Sequence, residues 1–165
     1  MNFLTENQLD NKIPPLNILV VDDDELNRRM MQVLLSRAGH HVDVVSNGLE
    51  AFDAIKFQKF DIVFMDLHMP VMDGIEASQH IREWEEGGQH TFIVALTASY
   101  LAEEGEKLFE AGIDNYIAKP FQMDHIDRML KYSAAAHLRS SSTPQTTFAR
   151  KLSPSEILEI QKGID

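Results

Sequence analysis

Five short apolar runs punctuate the chain: NILVV at 17–21, HVDVV at 41–45, DIVFM at 61–65, FIVAL at 92–96 and NYIA at 115–118. They are rich in β-branched side chains and little interrupted by polar ones, the pattern of parallel strands covered on both faces. The stretches between them carry helical spacing. Leu26, Met30, Val33, Leu34 and Arg37 recur at i, i+4, i+7 and i+8 spacings before Gly39, which predicts a first helix with that stripe as its face. A second helix is expected at 48–57, with Leu49, Phe52, Ile55 and Phe57 along it. A third runs from Gly74 to about 86 and stops at Gly87-Gly88, a fourth covers 100–111 before Gly112, and a fifth covers 122–137. Five strands alternating with five helices predict an α/β domain built on a doubly wound, five-stranded parallel sheet.

The flanks read differently. Residues 1–15 are polar and end in Pro14-Pro15, a leader that builds no core. The domain occupies 16–136. From 137 to 165 the chain turns to RSSSTPQTTFARKLSPS, a Ser/Thr/Pro-rich linker, and a short helix is expected from about 154. Charge removes several function classes. With 15 Lys+Arg against 26 Asp+Glu the net charge is −11. No basic stripe exists to release counterions from nucleic acid or to hold an anionic membrane. Cys is absent, which excludes a disulfide framework, a thiol nucleophile and a Cys-based zinc site. The start lacks a signal-peptide pattern, and no run approaches the roughly 18 apolar residues that span a bilayer, so a cytoplasmic location is expected. The 7 histidines are scattered without zinc-type spacing and read as surface or loop residues.

In doubly wound sheets the site lies outside the carboxyl ends of the strands, near the switch point between strands 1 and 3. Strand order 2-1-3-4-5 is adopted here by analogy with that class. The residues leaving those ends are Asp22-Asp23-Asp24 after strand 1, Asp66 after strand 3, Thr97 after strand 4 and Lys119-Pro120 after strand 5. Two carboxylates about 4 Å apart repel by roughly 4 kcal/mol at an effective dielectric near 20, and one lysine cannot balance three of them. A hard divalent cation with oxygen ligands can, and Mg²⁺ characteristically takes one or two carboxylates plus water and phosphate oxygens. Asp66 is then the candidate nucleophile for a phosphoryl group, Lys119 a mobile point charge beside it, and Thr97 a hydrogen-bond donor to a phosphoryl oxygen. Helix capping explains one of the acids after strand 1, Asp23 or Asp24, but not all three. Asp73-Gly74 reads as purely structural: a cap for the third helix and a permissive turn.

The motifs VVDDDE, MDLHMPVMDG, ALTAS and YIAKPF, in that order, resemble the receiver (CheY-like) domain of two-component response regulators over about 16–135. The surrounding sequence is most similar to receivers of hybrid sensor histidine kinases. The resemblance implies that Asp66 is phosphorylated and that Asp22, Asp23 and Asp66 hold Mg²⁺, with the backbone carbonyl of His68 completing the ligand set. It implies Thr97 and Tyr116 as switch residues, and a cis Lys119-Pro120 bond. It implies a histidine kinase or histidine phosphotransfer protein as donor. An effector or a second copy would then bind through helix 4, strand 5 and helix 5, a surface including Leu101, Lys119 and Phe121. His68 and Ser99 flank the path of attacking water and tune the phosphoryl lifetime. Such a chain is no turnover enzyme; it accepts a phosphoryl group and later loses it.

Two other classes compete. A Mg²⁺-dependent phosphatase of the haloacid-dehalogenase type also uses an aspartyl phosphate, but its nucleophile follows strand 1 in an Asp-x-Asp-x-Thr/Val run, and here DDDELN places Leu26 and Asn27 there. A pseudo-receiver that binds without phosphorylation would not need the intact set of acids, hydroxyl and lysine. A flavodoxin-like cofactor site is weaker still, because no Ser/Thr/Gly-rich phosphate loop follows strand 1.

Overall fold

The computed structural model describes residues 13–98 and 105–140. The predicted leader (apart from Ile13 to Pro15), the linker beyond 140, the short helix near 154, Ser99 and Leu101 lie outside the described residues. Within them, strands β1 (Asn17–Val21), β2 (His41–Val45), β3 (Ile62–Asp66), β4 (Phe92–Thr97) and β5 (Asn115–Ala118) alternate with helices α1 (Glu25–Arg37), α2 (Gly48–Phe57), α3 (Gly74–Trp84), α4 (Gly105–Glu110) and α5 (Met123–Ser140). All neighbouring strands are parallel, in the order β2-β1-β3-β4-β5. That is the expected architecture.

Strand alternation divides the core into two layers. Ile18, Val20, Ile62, Phe64, Val94, Leu96 and Ile117 point to the face covered by Met31 and Leu35 of α1 and Ile126, Met129 and Leu130 of α5. Leu19, Val21, Val63, Met65, Ile93 and Ala95 point to the other face, under Ala51 and Ile55 of α2, Ala77 and Ile81 of α3 and Leu108 of α4. The three central strands are buried on both faces, as their unbroken apolar runs require. HVDVV behaves otherwise: β2 is an edge strand, and His41 and Asp43 are exposed.

Helix α1 corrects the sequence reading. Its core-facing residues are Met31 and Leu35, whereas Leu26, Met30 and Val33 are 76%, 43% and 40% exposed. The helix carries two apolar stripes, and spacing alone cannot say which one meets the sheet. Helix α2 is similar: Ala51 and Ile55 face the core, while Leu49 and Phe57 face outward. His40 is a second correction. It is buried, and its Nδ1 accepts a hydrogen bond from the Leu16 backbone N–H at 3.1 Å, so its ring belongs to the core. Burial lowers its pKa, Asp127 opposes that, and His41 adds to it.

Caps follow the expected chemistry. Asp24, not Asp23, caps α1, accepting from the Asn27 N–H at 2.9 Å. Asn47 caps α2 and Asp73 caps α3 in the same way. Helix α3 ends at Trp84, two residues short of the expected end. Glu85 still donates its N–H to the Ile81 carbonyl while its side chain accepts from the backbone N–H and hydroxyl of Thr91, and Gly87 then takes a φ of 81°.

Candidate functional site

Parallel pairing puts the strand carboxyl ends level, and register determines which side chains meet. Asp66 lies opposite Leu96 and Thr97 opposite Ala118, so the end of β3, the end of β4 and the residue after β5 form one rim. Asp22 follows β1 directly, and its N–H donates to the Val45 carbonyl at 3.3 Å. Carboxylate oxygens of Asp22, Asp23 and Asp66 lie within 4.8 Å of one another, a grouping able to hold a metal ion. Asp22 and Asp66 are buried and Asp23 is exposed, so the cluster opens to solvent on the Asp23 side. The donor set is all oxygen, which fits a hard divalent cation.

One ammonium serves two of the acids. Lys119 Nζ sits 3.1 Å from Asp22 Oδ2 and 3.4 Å from Asp66 Oδ2. A cis Lys119-Pro120 bond follows, and the Lys119 N–H donates to the Thr97 carbonyl at 2.6 Å. Asp22 has further partners: Oδ1 accepts from the Asp24 N–H at 2.9 Å and Oδ2 from Asn27 Nδ2 at 3.4 Å. Arg28 Nη1 donates to its backbone carbonyl at 2.6 Å. Asp66 is less supplied. Its Oδ1 accepts one bond, from the His68 N–H at 3.2 Å.

The electrostatic consequence bears on both groups. Burial pushes the Asp66 carboxyl above its ordinary value; Lys119 and the His68 N–H work against that, and Asp22 adds to it. Burial also works against the charge of Lys119, but Asp66 and Asp22 outweigh it and leave the ammonium above its ordinary value. A cation shared by two carboxylates holds its own proton firmly, yet cannot fully stabilise either partner. Among the described residues, the three grouped acids are met by one ammonium, with the Arg28 guanidinium held on the Asp22 backbone carbonyl.

Thr97 is buried at the end of β4, beside Lys119 in the register. Tyr116 is half-buried and packs against the layer formed with α2, α3 and α4, not at the rim itself. Among the described residues, every acid, hydroxyl and lysine singled out in the sequence reaches the same end of the sheet. Reading residue types at strand ends missed Asn27 and Arg28, which hold Asp22 from the first turn of α1. It also understated Gly74. A Cβ there would lie 2.3 Å from the Asp66 carbonyl oxygen, so the glycine lets α3 start directly beneath the acid.

A doubly wound sheet with an acid cluster at its β1/β3 switch point defines the class: an α/β domain whose grouped carboxylates could hold a divalent ion. The chain belongs to the response regulator receiver domain family, whose model matches residues 18–131. It is therefore a receiver of two-component signalling. It is 38% identical over 134 residues to the sensor histidine kinase GacS of Pseudomonas protegens, covering 79% of this chain and 14% of that protein. The receiver domain of sensor histidine kinase PA1611 from Pseudomonas aeruginosa, solved with magnesium in its active-site cleft, superposes with a TM-score of 0.67 at 33% identity, covering 74% of this chain and 99% of that one. The receiver of Saccharomyces cerevisiae Ssk1, co-crystallised with the histidine phosphotransfer protein Ypd1, gives a TM-score of 0.71 at 28% identity, over 76% and 92% of the two chains. The chain spans 15% or less of the length of the curated relatives it matches. Among the described residues no helix is long and apolar enough to cross a membrane.

Proposed function

We propose that this receiver accepts a phosphoryl group from a phosphohistidine onto Asp66, with Mg²⁺ held by Asp22, Asp23, Asp66 and the backbone carbonyl of His68. The observation that carries the reading is one lysine shared between two buried acids, with a third acid within 4.8 Å. A divalent cation there neutralises the acids and the incoming phosphoryl oxygens together. A carboxylate oxygen of Asp66 forms the new P–O bond as the P–N bond of the donor imidazole breaks, and the imidazole leaves with the bonding pair and takes up a proton. Lys119 follows the charge from the carboxylate to the phosphoryl group. Thr97, one strand over, donates to a phosphoryl oxygen, and Tyr116 responds to the space its movement leaves. Later attack by water returns Asp66 to its free state.

A histidine phosphotransfer protein or histidine kinase is the donor this reading requires. The yeast complex of a receiver with such a protein supports it, as does the likeness to sensor kinases. The outer stripe of α1 offers the donor a footing: Leu26, Met30 and Val33 are exposed, and the stripe begins two residues after the α1 cap, beside the acids. Phosphorylation shifts the population between two arrangements of α4, β5 and α5, which present their surface to an effector or a second copy. We read the domain as 16–136, cytoplasmic, with 1–15 as leader and 137–165, whose first four residues continue α5, as connecting segment. The chain is either a stand-alone receiver or a piece of a longer hybrid or multidomain protein.

Incubation with acetyl phosphate and Mg²⁺ followed by intact-mass measurement tests the reading. One added phosphoryl group is expected, absent in Asp66→Asn and absent with chelator. An unmodified wild-type chain under every phosphodonor, including phosphorylated histidine phosphotransfer protein, overturns it.

A further inference from the structure

The loop between β3 and α3, residues 67–73, carries the His68 carbonyl and follows Asp66 directly. Its near end is fixed under the acid: the Gly74 N–H donates to the Leu67 carbonyl at 3.1 Å, and Gly74 has no Cβ to strike Asp66. Its middle is a three-residue turn in which the Met72 N–H donates to the Pro70 carbonyl at 2.9 Å around Val71, whose φ is 71°. Its far end is held by an element that sends no side chain to the rim. The N–H of Gly48, the first residue of α2, donates to the Met72 carbonyl at 3.0 Å. A Cβ on Gly48 would lie 2.7 Å from the Met72 oxygen, 2.8 Å from Ala77 Cβ and 2.9 Å from the Asp73 oxygen. Two of those three neighbours are backbone atoms of the loop and cannot rotate away.

We infer that Gly48 is a positioning residue for the cation site: its N–H and its missing side chain seat the β3–α3 loop against α2, and so place the His68 carbonyl relative to the Asp66 carboxylate. This rests on the receiver reading above. The consequence is that α2 sets magnesium affinity from outside the ligand shell. A side chain at Gly48 pushes Met72 and Asp73 outward, and the displacement reaches the rim through the five residues back to His68. Gly88 provides the control, since nothing lies within 4 Å of the place its Cβ would take.

The test is calorimetric titration of MgCl₂ into the full chain, well below the melting temperature, for wild type, Gly48→Ala, Asn47→Ala and Gly88→Ala. Asn47→Ala adds no atoms; it removes the α2 cap bond to the Glu50 N–H at 3.0 Å and loosens the turn that carries Gly48. It keeps the inference testable if Gly48→Ala does not fold. Gly48→Ala is expected to raise the magnesium Kd by about tenfold or more, the scale of a lost outer partner at a metal site. Asn47→Ala should raise it in the same direction and Gly88→Ala should leave it alone. Folded Gly48→Ala or Asn47→Ala with the wild-type Kd, and only a lowered Tm, reduces Gly48 to a packing residue and overturns the inference. Failure of the wild type to bind Mg²⁺ at all sinks the cation reading and this inference with it. A wild type that binds Mg²⁺ but refuses phosphoryl groups sinks only the phosphoacceptor reading, and the Kd comparison still decides the role of Gly48.

Discussion

Replacing Asp66 by Asn removes one negative charge from a rim that holds too many. Oxygens of Asp22, Asp23 and Asp66 lie within 4.8 Å of one another, and unit charges at that separation repel by roughly 3.5 kcal/mol at an effective dielectric of about 20. Asp23 is exposed, and screening cuts its share well below that figure. Against this, Lys119 at 3.4 Å from Asp66 returns roughly 5 kcal/mol on the same scale. That ammonium is also committed to Asp22. Attraction and repulsion nearly cancel, and burial of the carboxylate decides the sign, consistent with its raised pKa. Metal-free Asp66→Asn should therefore be more stable than wild type by about 1 kcal/mol, a rise of roughly 4 °C in Tm for a domain of this size.

The pH dependence carries the same sign. A carboxyl whose folded pKa exceeds its unfolded value of 3.8 favours the folded state when protonated, and that contribution disappears as pH rises through the folded value. The Tm gap between variant and wild type should thus be small near pH 4 and open towards pH 7. Magnesium reverses the ranking: at a hundredfold excess over Kd it stabilises the wild type by about 2.7 kcal/mol, and the variant, one ligand short, by less. Thermal melts in chelator and in Mg²⁺ across this range are the assay. An Asn variant that melts below wild type in chelator at pH 7, or a gap indifferent to pH, refutes the electrostatic reasoning.

Three further outcomes follow from other parts of the molecule. His40 is buried neutral, so the unfolded chain takes up its proton first as pH falls below 6.5 and stability drops there. His40→Asn, whose carbonyl can replace Nδ1 as acceptor, should flatten the urea-midpoint slope between pH 6.5 and 5; an unchanged slope contradicts this. Arg82 holds Glu85 at 2.6 Å, Asp114 at 2.8 Å and the Gly112 carbonyl at 2.8 Å, and the Glu85 side chain is only 3% exposed. Arg82→Ala should cost about 3 kcal/mol in urea denaturation because it strands a buried charge, and a loss within the error of the fit would show that water compensates. Val71, 76% exposed, adopts a φ of 71° that β-branched side chains resist. Val71→Asn should gain about 1 kcal/mol, and no gain would mean the turn is unstrained.

The strand order came by analogy with the doubly wound class, but the parallel strands and the rim residues were legible from one regularity. Unbroken apolar runs mark doubly covered parallel strands, and the residues that end them share an edge. Asp22, Asp66, Thr97 and Lys119 needed no further information. What escaped the sequence depends on which of two alternatives packing selects. Leu26, Met30 and Val33 make as good a helical stripe as Met31 and Leu35, and only packing against the sheet chooses between them. His40 follows a helix-stopping glycine, which reads as loop, yet the turn folds its ring under β1 to meet the Leu16 N–H. Gly48 and Gly74 look like ordinary helix-start glycines. Their importance lies in carbonyl oxygens under 3 Å from an absent Cβ, a tertiary distance with no sequence signature.

Diffraction from crystals grown with Mg²⁺ and beryllofluoride bears most directly on the claim that this rim is completed by a cation and a phosphoryl group. The expected density is one metal ion among the oxygens of Asp22, Asp23 and Asp66, and a fluoroberyllate joined to the Asp66 carboxylate within reach of Lys119 Nζ and the Thr97 hydroxyl. Bare carboxylates at that edge, with the beryllium elsewhere or nowhere in the crystal, contradict it.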